Sequence, residues 1–197
     1  LKVYGKKAKD IKNLKVELSG TSYVYNGSAK KPSVKITDGS YTLKNGTDYT
    51  VSYSKNTNAG TAVVQIIGKG SYTGSKNVKF SIKQANAKLE FKSTKMTKKF
   101  ASGSFTNGFK MKKTDGKISY SSNNTKVASV DKNKGQIKIV GVGKATITAT
   151  AKAGTNYKSG KASFVLTVTK ANNTIKADNI TKNMSKKSQT VDIKASV

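Results

Sequence analysis

The sequence predicts an all-β protein made of two tandem copies of a small β-sandwich. Short runs of Val, Ile, Tyr and Phe alternate with polar residues along most of the 197-residue chain. Clusters of Gly, Asn, Ser and Asp separate these runs, as expected of strands joined by turns. Apolar residues at helical spacing are nowhere sustained long enough to make a helix. Finally, segments of the first half recur in the second.

The first half contains six strand segments, and in four of them apolar residues alternate with Lys, Glu, Thr or Ser. Such alternation is typical of a strand with one face on a core. Turn sequences, among them Asn26-Gly27 and Gly68-Lys69-Gly70, separate the segments. The apolar positions that mark the strands are, in order, Leu14, Val16 and Leu18; Tyr23, Val24 and Tyr25; Val34 and Ile36; Tyr49, Val51 and Tyr53; Ala62, Val64 and Ile66; Val78, Phe80 and Ile82.

The second half shows the same kind of pattern. Its strands are marked by Leu89 and Phe91; Ile118 and Tyr120; Val127, Ala128 and Val130; Ile137 and Ile139; Ala145, Ile147 and Ala149; Phe164, Leu166 and Val168. Because the alternation again has a period of two, these segments also predict strands that bury one face.

Four pairs of segments relate the two halves. They are 58–64 with 141–147, Tyr72 with Tyr157, 78–82 with 164–168, and 83–86 with 169–172. A fixed-period similarity of this kind predicts repeated structural units. We therefore expect one module over 1–84, with a lead-in over 1–8, a second over 85–170, and the truncated start of a third over 171–197. Residues 172–197 are too few to bury a two-sheet core, so we expect them to dock on the second module or to support self-association.

Two motif sets carry a resemblance to known families. Segments 121–131 and 135–149, with the order S-x-N, V-A-S-V-D, G-x-I and V-G-x-G-x-A-T-I-T-A, resemble the bacterial Ig-like family of the group 2 type. Segments 25–32, 46–53 and 58–62 look like a related repeat of Gram-positive surface proteins. The resemblance implies Ig-like Greek-key sandwiches in secreted or surface-anchored proteins, where they act as spacers, stalks or adhesive units. It implies no catalytic residues.

Several absences limit the chemistry that the chain can perform. The sequence has no His and no Cys, and its 9 acidic residues are scattered. Imidazole bases, thiolate nucleophiles and His- or Cys-ligated metals are therefore excluded. We expect no enzymatic activity, no cofactor and no metal site. The apolar runs are too short for a transmembrane segment. Since residue 1 is Leu with no leader pattern behind it, we expect an excised piece of a longer protein. The resemblance to the Ig-like family implies that this protein is secreted or lies at the cell surface.

The lysine excess is the strongest candidate feature for binding. The chain carries a formal charge of +29, and every one of its 38 basic residues is Lys. A positive surface attracts anionic polymers, so cell-wall polymers or host glycans are candidate partners. Without Arg, sequence-specific recognition of nucleic acid is not expected. The densest lysine cluster, the candidate polyanion contact, consists of Lys92, Lys95, Lys98, Lys99, Lys110, Lys112 and Lys113.

Other side chains have a functional and a structural interpretation. The tyrosines can form a sugar-stacking face, but Tyr in sandwiches more often buries its ring and bonds its hydroxyl to backbone. Asp131 resembles the start of a calcium loop, although a simple turn is favoured because the closing Glu is missing. Asp48 and Glu17 are expected to face solvent. An intramolecular Lys–Asn isopeptide bond remains an alternative that intact mass would test.

Two functional hypotheses follow. The first is a non-catalytic spacer that projects a functional head from a bacterial surface. The second is an adhesive module that binds anionic polymers or glycans through the lysine-rich face. Salt distinguishes them, because polyanion binding weakens steeply as ionic strength rises.

Overall fold

The computed structural model describes residues 7–172, and these residues form strands joined by turns. A single turn of 3-10 helix, Ile11–Asn13, follows the first strand. The strands are β1 (Lys9–Asp10), β2 (Lys15–Leu18), β3 (Ser22–Val24), β4 (Val34–Asp38), β5 (Tyr41–Thr42), β6 (Tyr49–Ser54), β7 (Gly60–Gly68), β8 (Tyr72–Thr73), β9 (Ser75–Lys83), β10 (Lys88–Phe91), β11 (Lys95–Lys99), β12 (Phe109–Lys113), β13 (Ile118–Ser122), β14 (Ala128–Val130), β15 (Ile137–Ile139), β16 (Gly143–Ala151) and β17 (Gly160–Thr169).

The N-terminal sandwich, residues 9–83, consists of two sheets and a small accessory pair. One sheet has the order β2-β4-β5, and the other has the order β3-β9-β7-β6. In the second sheet all neighbours are antiparallel except β3 and β9, which run parallel. The short β1 pairs with β8 in parallel and leads the chain into the sandwich.

The N-terminal core forms because alternate residues of facing strands point between the two sheets. In β7, for example, Ala62, Val64 and Ile66 are buried while Gln65 between them is exposed. Ile11 of the 3-10 turn is fully buried and closes one end of the core. The buried cluster comprises Ile11, Ile36, Leu43, Tyr49, Ala62, Val64, Ile66, Phe80 and Ile82.

The C-terminal sandwich, residues 85–169, has a similar plan. Its four-stranded sheet has the order β11-β17-β16-β13, and β11 again runs parallel to the last strand. Opposite it lie the antiparallel pair β10-β12 and the hairpin β14-β15. The buried cluster comprises Phe91, Val127, Ala128, Ile137, Ala145, Ile147, Ala149, Phe164, Leu166 and Val168. The two buried clusters have no residue in common. The module boundaries at residues 84 and 170 nevertheless stay a prediction.

The opening strand of each sandwich contributes to both sheets. β2 pairs antiparallel with β4, and after residues 19–21 the chain continues as β3, which pairs parallel with β9. β10 and β11 repeat this arrangement with β12 and β17. A strand divided in this way ties the two sheets together at one edge.

The predicted all-β fold is confirmed, with several differences from the sequence-based expectation. The two-residue strands β1, β5 and β8 were not predicted. The strands β11 and β12 had no predicted counterpart, because lysines interrupt their apolar alternation. The expectation that Asp48 faces solvent was wrong, because its exposed fraction is only 8%. Asp48 belongs to the turn before β6, so the alternation of the strand does not determine its direction.

Candidate interaction surfaces

The predicted lysine cluster is divided between two sheets. Lys95, Lys98 and Lys99 lie on β11, at the edge of the four-stranded sheet. Lys110, Lys112 and Lys113 lie on β12 in the opposite sheet, and Lys92 lies in the connection after β10. All are exposed except Lys98, which is half-buried. The six lysines on strands therefore belong to two sheets, and no single sheet carries all seven residues.

Two of these lysines have a specific partner. The Lys110 ammonium lies 3.3 Å from a carboxylate oxygen of Glu90 on the neighbouring strand. The Lys98 ammonium lies 5.1 Å from the centre of the Phe105 ring, a cation–π geometry. Lys113 stands directly opposite Lys88 across the β10-β12 pair, so two like charges meet there.

The acidic candidates have structural roles in this part of the chain. Asp131 accepts hydrogen bonds from the N–H groups of Lys134 and Asn133, which lower the pKa of its carboxyl, so it closes a simple turn. Glu17 is exposed as expected, and the hydrogen bond and charge of Lys15 lower its pKa. No group of three or more acidic residues within residues 7–172 has the arrangement of a metal site.

Tyr49 and Tyr53 of the N-terminal sandwich follow the structural interpretation, whereas Tyr41 is 47% exposed and its hydroxyl donates to a side chain. The Tyr49 hydroxyl donates to the Val34 carbonyl at 3.0 Å, and the Tyr53 hydroxyl donates to the Pro32 carbonyl at 2.7 Å. Burial raises the pKa of both hydroxyls, which keeps them protonated donors. Their rings pack on the core, so they are not free to form a stacking face.

The isopeptide bond stays an alternative. It needs a buried acid beside a lysine and an asparagine. Asp48 is the acidic residue that is buried in the described part of the chain, and its carboxylate accepts from the Tyr41 hydroxyl and the Lys44 backbone N–H. Both donors lie close to Asp48 in sequence, and both bond to the same carboxylate oxygen, Oδ2.

The joint between the two sandwiches includes a backbone pairing that the sequence did not predict. β9 ends at Lys83, and Ala85 already pairs with the loop between β16 and β17. The Ala85 N–H donates to the Asn156 carbonyl at 2.9 Å, and the Lys158 N–H donates to the Ala85 carbonyl at 2.8 Å. Only Gln84 lies between the last strand of the N-terminal sandwich and this pairing, so the linker between the two sandwiches is a single residue.

Side chains from both sandwiches reinforce the pairing. The Gln84 amide donates to the Gly154 carbonyl at 2.7 Å. The Asn156 side-chain oxygen accepts from the Ala59 N–H at 2.9 Å, in the loop between β6 and β7. The rings of Tyr25 and Tyr157 meet edge to face with centroids 5.4 Å apart. We call this set of contacts, together with the Ala85 pairing, the junction.

The loop between β16 and β17, which carries Asn156 and Tyr157, is held in place by contacts within the C-terminal sandwich. The Asp115 carboxylate, in the turn before β13, accepts from the backbone N–H groups of Asn156 and Tyr157 at 2.7 and 3.3 Å. Asn156 therefore uses its backbone N–H and carbonyl toward Asp115 and Ala85 of its own sandwich. Its side chain bonds to Ala59 of the other sandwich. A fixed loop presents its polar groups without a further loss of conformational freedom when the junction forms.

The junction is the feature that sequence reasoning missed. The short joint at Gln84-Ala85-Asn86 and the repeated Tyr72 and Tyr157 were visible in the sequence. Asn156 gave no signal, because it is one of many Asn residues in a turn-rich segment and its partner Ala59 lies 97 positions away.

No helix within residues 7–172 has the length and apolarity needed to cross a membrane. The predicted self-association through 172–197 and most of the lead-in 1–8 fall outside the described residues.

Comparison with protein families gives one match. Residues 87–162 match the bacterial Ig-like domain (group 2). The matched region spans β10 to the beginning of β17, which is nearly the whole C-terminal sandwich. The sequence-based fold class, all-β with Ig-like sandwiches, is thereby confirmed. No curated protein sequence matches the chain.

Solved structures give similar but distant matches. Domains 4 and 5 of the S-layer protein SbsC are 17% identical over 81% of this chain and 99% of that chain, with a TM-score of 0.36. A C-terminal fragment of intimin, solved with the intimin-binding domain of its translocated receptor, is 16% identical over 79% and 64%, with a TM-score of 0.32. A SusE-like surface located polysaccharide binding protein from Bacteroides thetaiotaomicron is 10% identical over 83% and 36%, with a TM-score of 0.30. These low TM-scores carry no argument about function.

Proposed function

We propose that this chain is a non-catalytic spacer, or stalk, segment of a secreted or cell-surface bacterial protein of the adhesin-like, Gram-positive type. In this role two tandem modules hold the parts of the protein on either side of them at a fixed separation. The family match of the C-terminal sandwich supports a bacterial Ig-like module. The observation that carries the proposal is the junction.

The junction suits a spacer because it removes the usual freedom between neighbouring modules. A flexible linker lets domains reorient, and relative motion is the default where the interface is small. Here the linker is one residue long, and its side chain bonds to the next sandwich. Backbone pairing at Ala85 and the Asn156 side chain add contacts on two sides of the linker. Bending at the joint must therefore break several hydrogen bonds at once.

The distance between spin labels in the two sandwiches tests this proposal. The chain has no Cys, so Ser52→Cys and Lys161→Cys introduce unique labelling sites on exposed positions of β6 and β17. We expect a single narrow distance distribution for the parent chain. Asn156→Ala removes the bond to Ala59 and should broaden that distribution.

Asn133→Ala is the matched control, because it changes an Asn of the same sandwich in a turn away from the junction. It should leave the distribution narrow. A broad distribution in the parent chain would contradict the fixed joint and with it the spacer proposal.

The second candidate function is adhesion to an anionic polymer. The observation that favours it is the shortage of acidic partners around the predicted lysines. Within residues 7–172, Lys110 alone among the seven lies within ion-pair distance of a carboxylate. Unpaired ammonium groups on an exposed strand keep their charge available to a polyanion. Lys112 and Lys113 of β12 are the best candidates, because both are exposed, neither has an acidic partner among the described residues, and they are adjacent on one short strand.

Binding to dextran sulfate at several salt concentrations tests the adhesive function. The triple variant Lys110→Thr, Lys112→Thr, Lys113→Thr should bind more weakly. Its slope of log affinity against log salt should fall by roughly 0.7–0.9 for each anionic group that the variant no longer neutralises. The control variant Lys31→Thr, Lys35→Thr, Lys44→Thr removes the same charge from the N-terminal sandwich. An equal weakening in both variants would mean general attraction to a positive protein, without a site on β12.

A further inference from the structure

The strand registers show which positions of the two sandwiches are equivalent. Gly60 is opposite Ile82 in the N-terminal sandwich, and Gly143 is opposite Val168 in the C-terminal one. Both glycines have a positive φ, 144° and 139°. The Tyr25 N–H donates to the Lys83 carbonyl, as the Phe100 N–H donates to the Thr169 carbonyl. The end of the N-terminal sandwich that forms the junction and the corresponding end of the C-terminal sandwich therefore match residue by residue.

This equivalence assigns a counterpart to each residue of the N-terminal sandwich that forms the junction. Counting from the paired glycines, Ala59 corresponds to Val142. Counting from the ends of β9 and β17, the remaining counterparts are Phe100 for Tyr25, Lys170 for Gln84 and Ala171 for Ala85. We call Phe100, Val140, Val142, Lys170 and Ala171 the far pole.

At the far pole the counterparts of Tyr25 and Ala59 are uncovered and apolar, and so is Val140, two positions before Val142. Phe100 is 43% exposed, Val140 47% and Val142 50%, whereas Tyr25 and Ala59 are half-buried at the junction. Three of the seven large exposed hydrophobic residues of the described chain thus lie at one end. Exposed apolar side chains grouped at one place indicate a surface that is covered in the assembled protein.

The far pole also offers the hydrogen-bonding groups that the junction uses. The Val142 N–H, the counterpart of the Ala59 N–H, makes no hydrogen bond within residues 7–172. Lys170 carries a donor at the position where the Gln84 amide donates to the Gly154 carbonyl. The backbone of Ala171 lies exposed, where that of Ala85 is paired.

We propose that the far pole is a docking face for one further module of this same fold. Its loop equivalent to 154–157 covers the pole. A side-chain amide oxygen of that loop accepts from the Val142 N–H, and an aromatic ring packs on Phe100. The replacement of Asn58 and Ala59 by Gly141 and Val142 makes this contact more apolar than the junction. The inference rests on the fixed junction of the proposed function, and extends it from one joint to a continuing series.

Hydrogen exchange in an extended chain tests the proposal. The probe is residues 1–172 continued by a second copy of 87–172, so that the new joint reproduces the sequence Ala-Asn-Ala of the native one. Amide exchange is measured by NMR in this protein and in the 197-residue chain. We expect the Val142 N–H to exchange at least tenfold more slowly in the extended chain.

The partner loop is tested by Asn156→Ala placed only in the appended copy. This change should return the Val142 N–H to its original exchange rate, while the Ala59 N–H stays protected in both chains. Val142→Lys should likewise abolish docking, and Ile67→Lys, a similarly exposed position in β7, should not.

The Ala59 N–H distinguishes failure of the docking face from failure of the junction. If it is protected while the Val142 N–H exchanges equally fast in both chains, the docking face is refuted and the fixed junction stands. If the Ala59 N–H is unprotected in both chains, the junction itself is refuted, and the spacer proposal falls with it.

Discussion

At the scale of single residues, Asp48 shows how a buried charge is kept in a chain that is otherwise poor in acids. Its carboxylate accepts from the Tyr41 hydroxyl at 3.0 Å and from the Lys44 N–H at 2.8 Å. The hydrogen bond to Asp48 is also the main cause that raises the pKa of Tyr41. Charge-assisted bonds of this kind are stronger than neutral ones, so the turn before β6 depends on them.

Asp48→Ala should destabilise the protein, because it leaves the Lys44 N–H and the Tyr41 hydroxyl without their acceptor. We expect a loss of about 1–3 kcal/mol in the free energy of unfolding, measured by urea denaturation. Glu17→Ala, which removes an exposed acid paired with Lys15, is the control and should leave the urea midpoint nearly unchanged. An Asp48→Ala variant as stable as the parent would mean that the turn is held by backbone bonds alone.

Asn156 of the junction owes its role to its position in the fold and not to its residue type. Asn156 bonds to Asp115 through its backbone and to Ala59 through its side chain. Its importance follows from position, since Asn133 in the same sandwich has the same chemistry and no contact to the other half. Residue type alone does not distinguish the two.

At the scale of elements, the turn between β12 and β13 sets the position of the loop that forms the junction. Gly116 in this turn packs against the Lys152 carbonyl, just after β16. A Cβ at residue 116 would overlap with that oxygen, so no side chain fits without a shift of the backbone. Asp115 beside it holds Asn156 and Tyr157. The turn and the junction loop are therefore built as one unit.

Gly116→Ala should destabilise the C-terminal sandwich by about 1–3 kcal/mol, the usual cost of forcing atoms into a packed site. The measurement is urea denaturation of each variant. Gly103→Ala is the matched control, because nothing lies within 4 Å of a Cβ added there. If both variants lose the same stability, the close approach to Lys152 is not the cause.

Strands that bury one face were predictable, and the lysine-rich strands were not. In β7 and β16 the apolar residues recur at every second position, and this alternation follows from the geometry of the strand itself. In β12 four of five residues are Lys or Met, and all four are exposed. A β-bulge between Glu90 and Phe91 also shifts the register between β10 and β12. The sequence of β12 therefore shows no simple period of apolar residues.

At the scale of the whole molecule, charge opposes folding. A formal charge of +29 on 197 residues brings many like charges together when the chain becomes compact. Three carboxylates form ion pairs within residues 7–172, far fewer than the lysines present. Lys88 opposite Lys113 is one place where the repulsion is local.

Salt should therefore stabilise the protein. We expect the urea midpoint to rise between 10 and 150 mM NaCl, as the screening length falls from about 30 to 8 Å. Urea is the appropriate denaturant because it is uncharged and leaves the ionic strength unchanged. A midpoint independent of salt would show that the lysines are spaced too widely for repulsion to matter.

The sequence by itself determined the fold class, the Ig-like character of the C-terminal sandwich and the absence of His and Cys chemistry. These depend on residue type, on a period of two and on motifs of neighbouring residues, all of which are local. Only the tertiary structure revealed the junction, the burial of Asp48 and the division of the lysines between two sheets. The junction and the division of the lysines depend on residues far apart in the chain, since Asn156 and Ala59 are 97 positions apart. The burial of Asp48 depends on the three-dimensional path of its turn, which a period of two does not describe.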